Sequence, residues 1–187
     1  MELVLIRHGL TKGNEEKRYI GKSDEALSTN GMNQLIKNIY PSVSQIFVSP
    51  KLRCIQTCEL IYPDQEYEII SSFEEMDFGE FEGKNYQELN GDEMYQAWID
   101  SNGTLPFPKG ESKDEFIERV KRGFEQMCEK IQENKVACIV HGGTIMAILS
   151  SFSSMDYFDG QCKNGNGFVC TLHLKDSIKI DSIRSLL

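Results

Sequence analysis

Two histidines in this 187-residue chain stand where an α/β fold places chemistry. His8 follows the apolar run Leu3–Ile6, and His141 follows Lys135–Val140. Each precedes glycine, as Arg7-His8-Gly9 and His141-Gly142-Gly143. Short apolar runs ending in Gly-containing turns read as buried strands. Ligands of open α/β sheets bind beyond the carboxyl ends of such strands. Arg53 falls in the first turn of a helix expected after a further run, Ile46–Val48. If these strands are parallel neighbours, two imidazoles and two guanidiniums converge on one crevice. Guanidiniums hold phosphate oxygens bidentately, so the guest such a crevice fits is a phosphoryl group. One histidine at a strand end is more often structural than catalytic.

Other chemistries fail on spacing. Gly21-Lys22-Ser23 has the end of a P-loop, but Glu16 stands where the loop's first glycine is required. There is no C-x5-R, G-x-S-x-G, H-E-x-x-H or D-x-D. Three dispersed histidines give no zinc spacing, so no metal and no cofactor is expected.

The elements that must position these residues alternate between strand and helix. Met32, Leu35, Ile36 and Ile39 share one helical face, which predicts a helix from Ser28 to about Tyr40. Ser49-Pro50 reads as an N-cap and first helical residue, with the helix running to Ile61. Tyr67–Ser71 is a further strand candidate, and Asp92–Asp100 a helix. Ser112-Lys-Asp-Glu115 is a capping box that opens a long helix. Its stripe of Phe116, Val120, Phe124, Met127 and Ile131 extends the helix to about Asn134. Gly143–Ser151 reads as a helix, and Gly167–Leu174 with Ile178–Ile183 as a hairpin. The pattern predicts one α/β domain over residues 1–187, a three-layer sandwich around a mostly parallel sheet. Tyr19 and the aromatic stripe read as packing, and contacts to a ligand's remainder are expected from residues 85–110.

Composition narrows the partners. Twenty Lys and Arg against 29 Asp and Glu give a net charge of −9. That balance argues against nucleic acid and against an anionic membrane surface. No apolar run spans a bilayer, and Met1–Leu5 lacks the features of a signal peptide. The expected setting is the cytoplasm, with six unpaired cysteines, and the oligomeric state is open. The acidity is uneven. Residues 64–93 hold eleven carboxylates against Lys84, whereas residues 1–22 have a positive balance. Some of these carboxylates are expected to line the site entrance and repel a second phosphate.

Five ordered blocks carry a resemblance. They are Leu5-Ile6-Arg7-His8-Gly9-x-Thr11-x-x-Asn14, Ser49-Pro50-x-x-Arg53-x-x-Gln56-Thr57, Phe73-x-Glu75-x-x-x-Gly79-x-x-Glu82-Gly83, Gly110-Glu111-Ser112 and Val140-His141-Gly142-Gly143. This pattern resembles the histidine phosphatase superfamily and implies a phosphoglycerate mutase-like fold. The resemblance implies that His8 is the nucleophile, with its tautomer fixed by the Gly9 carbonyl. It implies that Arg7, Arg53 and His141 hold phosphoryl oxygens and that Glu75 is the general acid, with Glu82 the alternative. Asn14, Thr11 and Gly142 are further candidates for substrate contacts, although Thr11 suits a helix cap equally well and a turn cap is the competing reading of Asn14. Arg18–Asp24 and Glu75–Gly79 look like the α-ribazole phosphatase branch, which acts in cobalamin assembly. Ala26 departs from the proline usual there. The short stretch between Glu75 and His141 favours a phosphatase acting on a small phosphomonoester over a mutase. A broad-specificity metabolite phosphatase, a phosphoglycerate mutase and a non-catalytic phosphate-binding relative are the alternatives.

Overall fold

The computed structural model describes all 187 residues. Its strands are β1 (Glu2–Arg7), β2 (Gln45–Val48), β3 (Glu68–Ile69), β4 (Lys135–Val140), β5 (Gly167–His173) and β6 (Lys179–Ser185). Its helices are α1 (Lys12–Glu15), α2 (Thr29–Lys37), α3 (Leu52–Ile61), α4 (Glu93–Asp100), α5 (Lys113–Glu129) and α6 (Gly142–Phe152). The six strands form one sheet in the order β3-β2-β4-β1-β5-β6. β3, β2, β4 and β1 run parallel, and β5 joins β1 antiparallel. β5 and β6 form the expected hairpin.

Period-2 alternation explains the layers. Leu3, Leu5, Phe47, Val136, Cys138 and Val140 face one core, which they share with α5 and α6. Val4, Ile6, Ile46, Val48, Ala137 and Ile139 face the other, which they share with Cys54 and Cys58 of α3. Strands buried on both faces read as continuous apolar runs, as β1 and β4 do. The outcome is the expected three-layer α/β sandwich.

Several boundaries differ from the sequence reading. α2 ends at Lys37, so Ile39 lies beyond it and is 89% exposed, while Ile36, within the helix, is 66% exposed rather than on the core face. α5 ends at Glu129, because residues 130–134 must turn the chain into β4. There the Gln132 N–H donates to Gln45 Oε1, and Asn134 O accepts from the Glu2 N–H. The third strand shrinks to two residues. Ser49 does not cap α3. Its N–H extends the sheet to Ile139 O, and the helix begins at Leu52, whose N–H is capped by Asp24 Oδ1. All six cysteines are free thiols.

The capping box of α5 forms as predicted: the Glu115 N–H donates to Ser112 Oγ, and the Ser112 N–H to Glu115 Oε2. Ser112→Ala is expected to cost about 1 kcal/mol. Urea unfolding checks it, and the midpoint should fall with an unchanged slope.

Candidate active site

Strand order brings the predicted residues together. β2, β4 and β1 are adjacent, and Arg7 on β1 pairs in register with Val140 on β4. The next residues, His8 and His141, therefore leave the sheet side by side, with rings edge to face at 5.2 Å. Arg53 reaches them from the first turn of α3, with its Nε 3.3 Å from His141 Nδ1. Glu75 arrives from the irregular segment after β3, and its Oε2 accepts from the Gly143 N–H at 3.2 Å. A Cβ on Gly143 would lie 2.3 Å from Glu75 Oε1, so only glycine leaves room for this carboxylate.

Burial and hydrogen bonding fix the chemistry of each ring. His8 is 4% exposed, and His141 and Arg53 are 0% exposed. His8 Nδ1 lies 2.7 Å from Gly9 O. A carbonyl only accepts, so Nδ1 carries the proton and Nε2 keeps its lone pair. At His141, Arg53 Nε–H donates to Nδ1, so the proton sits on Nε2 and is given to Ser49 Oγ at 2.7 Å. Burial, reinforced by the charges of Arg53 and Arg7, holds the His8 pKa well below its ordinary value, against a smaller opposing pull from Gly9 O. Burial also depresses His141, followed by Arg53, His8, Arg7 and Lys51. Both imidazoles are neutral.

The two guanidiniums differ. Arg53 donates Nη1 to Ser23 O and Nη2 to Gly21 O and Ile20 O. With Nε on His141, one of its five N–H groups is left. Arg7 donates Nη1 to Cys162 O, while its buried Nε has no partner in the protein.

The other predicted residues divide. Gly142 lines the site beside the Arg7 guanidinium. Thr11 is fully buried and caps α1, accepting from the Asn14 N–H, so it does not face a ligand. Asn14 Oδ1 accepts from the Thr11 N–H and from Asn164 Nδ2. Glu82 also does not face the site: its carboxylate accepts from the Gly21 and Ser23 N–H groups. It thereby braces the carbonyls that hold Arg53. The acidic segment does not line the entrance either. Asp77 pairs with Lys22, Glu80 with Lys109 and Glu74 with Lys51, and Glu75 is the one carboxylate in the cleft wall.

Above this floor opens a cleft of about 550 Å3. Arg7, Glu75, Gly142 and Gly143 line it; His8 follows Arg7 and His141 precedes Gly142 in sequence, and both are buried behind that lining with Arg53. Its walls are aromatic: Tyr19, Phe78, Trp98 and Phe107 on one side, Tyr157 and Phe158 on the other. Trp98 and Phe107 lie in the stretch expected to contact a ligand. Tyr19, read from sequence as packing, is also in the wall. Sequence reasoning missed Ser49, Asn164 and the whole 157–162 segment. For Ser49 the signals were its place directly after β2 and its position at the head of the block that carries Arg53. Cysteine nucleophiles are disfavoured, since burial pushes the thiols of Cys54 and Cys162 up to about 12 and about 11.

The sheet and its paired buried histidines define an α/β protein of the phosphoglycerate mutase-like fold. The family model for the histidine phosphatase superfamily (branch 1) matches residues 3–177, and the chain belongs to that superfamily. It is 27% identical over 165 residues to the adenosylcobalamin/alpha-ribazole phosphatase of Escherichia coli K12, covering 83% of this chain and 80% of that one. It is 28% identical over 162 residues to the 2,3-bisphosphoglycerate-dependent phosphoglycerate mutase of Rhizobium etli, covering 78% and 77%. The crystal structure of the alpha-ribazole phosphatase from Shigella flexneri matches with a TM-score of 0.85 over 97% of this chain and 95% of that one. Its 23% identity makes this a likeness of fold.

Neutral burial has a consequence for stability. In the unfolded chain these histidines titrate near pH 6.5, so below that pH the unfolded state binds more protons than the folded one. Their contribution is fully present above about pH 6.5 and is lost as pH falls towards their lower folded values. The maximal slope is about 1.4 kcal/mol per pH unit per histidine. Urea unfolding from about pH 7.5 to about pH 5.5 should show the decline, and His141→Asn should roughly halve its slope. A flat profile would contradict neutral burial.

Proposed function

We propose that residues 1–187 act as one cytoplasmic phosphomonoesterase domain working through a phosphohistidine on His8, with α-ribazole-5′-phosphate as substrate. The observation that carries the mechanism is the His8 Nδ1–Gly9 O hydrogen bond, which aims an unprotonated Nε2 away from the backbone. In the first step Nε2 bonds to phosphorus as the ester P–O bond breaks, and Glu75 gives its proton to the departing oxygen. In the second, water attacks phosphorus, Glu75 takes a proton from it, and the P–N bond breaks to release phosphate. Arg7 supplies the donor with no internal partner, and Arg53 its one free N–H. His141 supplies the Nε2 proton now given to Ser49. These donors stabilise the charge on the transferring group.

The substrate assignment rests on the cleft wall. Aromatic faces give large apolar area in offset or edge-to-face packing, which suits a planar base on the leaving group. Such a wall offers the carboxylate of a phosphoglycerate one cation, Lys113, among mainly apolar faces. Phosphate release from α-ribazole-5′-phosphate, 3-phosphoglycerate and fructose bisphosphates tests the assignment. α-Ribazole-5′-phosphate should give the highest kcat/KM. Trp98→Ala should raise its KM with less effect on kcat. Isomerisation of 3-phosphoglycerate faster than any hydrolysis would make the chain a mutase instead.

No group of three or more His, Cys, Asp or Glu side chains stands at ligating range in the structure. Activity is therefore expected to survive excess chelator. Loss in chelator with recovery on adding a divalent cation would overturn this expectation.

A further inference from the structure

Glu75 lies in a segment without regular structure, yet general acid catalysis demands placement within hydrogen-bond reach of the leaving oxygen. What holds that segment is a guanidinium from another element. Arg119, two turns into α5, donates Nη1 to Ser72 O at 3.0 Å and to Glu74 O at 3.2 Å. Its Nη2 donates to Glu75 O at 3.3 Å. Glu111 grips the same guanidinium bidentately, 2.8 Å from Nε and 2.8 Å from Nη2. Glu111 Oε2 also accepts from the Asp77 N–H at 3.0 Å. The pair therefore fastens the backbone on both sides of Glu75, at carbonyls 72, 74 and 75 and at amide 77.

Each remaining partner of the Glu75 side chain is a backbone amide, Met76 or Gly143. The Met76 amide moves with the backbone of residues 74–77, and the Gly143 amide, fixed on α6, meets the carboxylate only while that backbone holds its place. Arg119 is 30% and Glu111 22% exposed at the side chain. At that exposure solvent screens part of the Coulomb attraction between them. The pair's geometric role is the larger one, because a planar fork fixes several acceptors at once and a lysine cannot.

We infer that Arg119, held by Glu111, is a positioning residue for the general acid, acting on leaving-group protonation through the backbone of Glu75. The inference rests on the reading of Glu75 as that acid. It implies a dependence on the leaving group. An alkoxide needs a proton as it departs, whereas p-nitrophenolate leaves without one. A misplaced acid thus slows the first substrate class and spares the second.

The test compares kcat/KM, which reports only the steps up to leaving-group expulsion, for β-glycerophosphate and p-nitrophenyl phosphate. Arg119→Ala is expected to lower kcat/KM for β-glycerophosphate by about 10- to 100-fold and for p-nitrophenyl phosphate by less than about threefold. Arg119→Lys should recover little. Glu111→Gln should show the same split more weakly, and it carries the test if Arg119→Ala does not fold. The double variant Arg119→Ala/Glu75→Gln should be no slower than Glu75→Gln alone, as expected for residues acting as one unit. Equal losses on both substrates, or additive losses in the double variant, would overturn the proposal. Absence of the split in Glu75→Gln itself would remove Glu75 as the acid, and the inference with it, so the two failures are distinguishable.

Discussion

The parallel pairing of β1 with β4 ends both strands at the same height, Arg7 opposite Val140. The two following histidines then share one buried position, and everything else about the site answers to that. Buried imidazoles beside two guanidiniums are stable only when neutral, since each charge there would be unscreened and repelled. Neutrality leaves one proton per ring, and the hydrogen bonds decide where it goes. Gly9 O takes the Nδ1 proton of His8 and frees Nε2. Arg53 fills Nδ1 of His141 and turns its proton towards Ser49. The two rings therefore differ in role although both follow the end of a parallel strand.

The electrostatics of the chain now read differently from its net charge of −9. Apart from Glu75, the carboxylates of residues 74–82 are occupied with structure: ion pairs to Lys51, Lys22 and Lys109, and the Glu82 brace on residues 21–23. Arg53 is surrounded by carbonyls and an imidazole rather than by a carboxylate. A guanidinium held this way keeps its full charge unneutralised, as does Arg7 against Cys162 O. The floor of the cleft is thus cationic inside an acidic protein, which is the complement of a phosphoryl group. Glu75 is the single carboxylate beside it, placed where a proton can be delivered without cancelling that charge elsewhere.

Much of this was legible in the residues. Continuous apolar runs gave β1 and β4, and the glycines after each histidine marked the turns beyond them. The capping box marked the start of α5 to the residue. What local pattern could not supply was long-range pairing. Ser49 looked like a helix cap because serine before proline usually is one, but its N–H continues the sheet and its hydroxyl belongs to His141. Thr11 and Glu82 sit inside motif blocks yet serve backbone amides, a distinction that needs coordinates. Ile39 kept the helical period although the helix stops at Lys37, and Ile36 is helical but on the solvent side. The cleft walls combine Tyr19, Phe78, residues 98–107 running from the end of α4 into a loop, and residues 157–162, and their convergence is purely tertiary.

The central claim is that His8 Nε2 becomes covalently bonded to phosphorus during turnover. Rapid acid-free quenching of the protein with a phosphomonoester in excess, followed by peptide mass spectrometry, addresses it directly. The account predicts a phosphorylated peptide containing His8, stable in alkali and lost in acid, that forms and decays as fast as phosphate is released. A phosphate on His141 instead, or full turnover with no phosphoenzyme and an active His8→Ala variant, would contradict it.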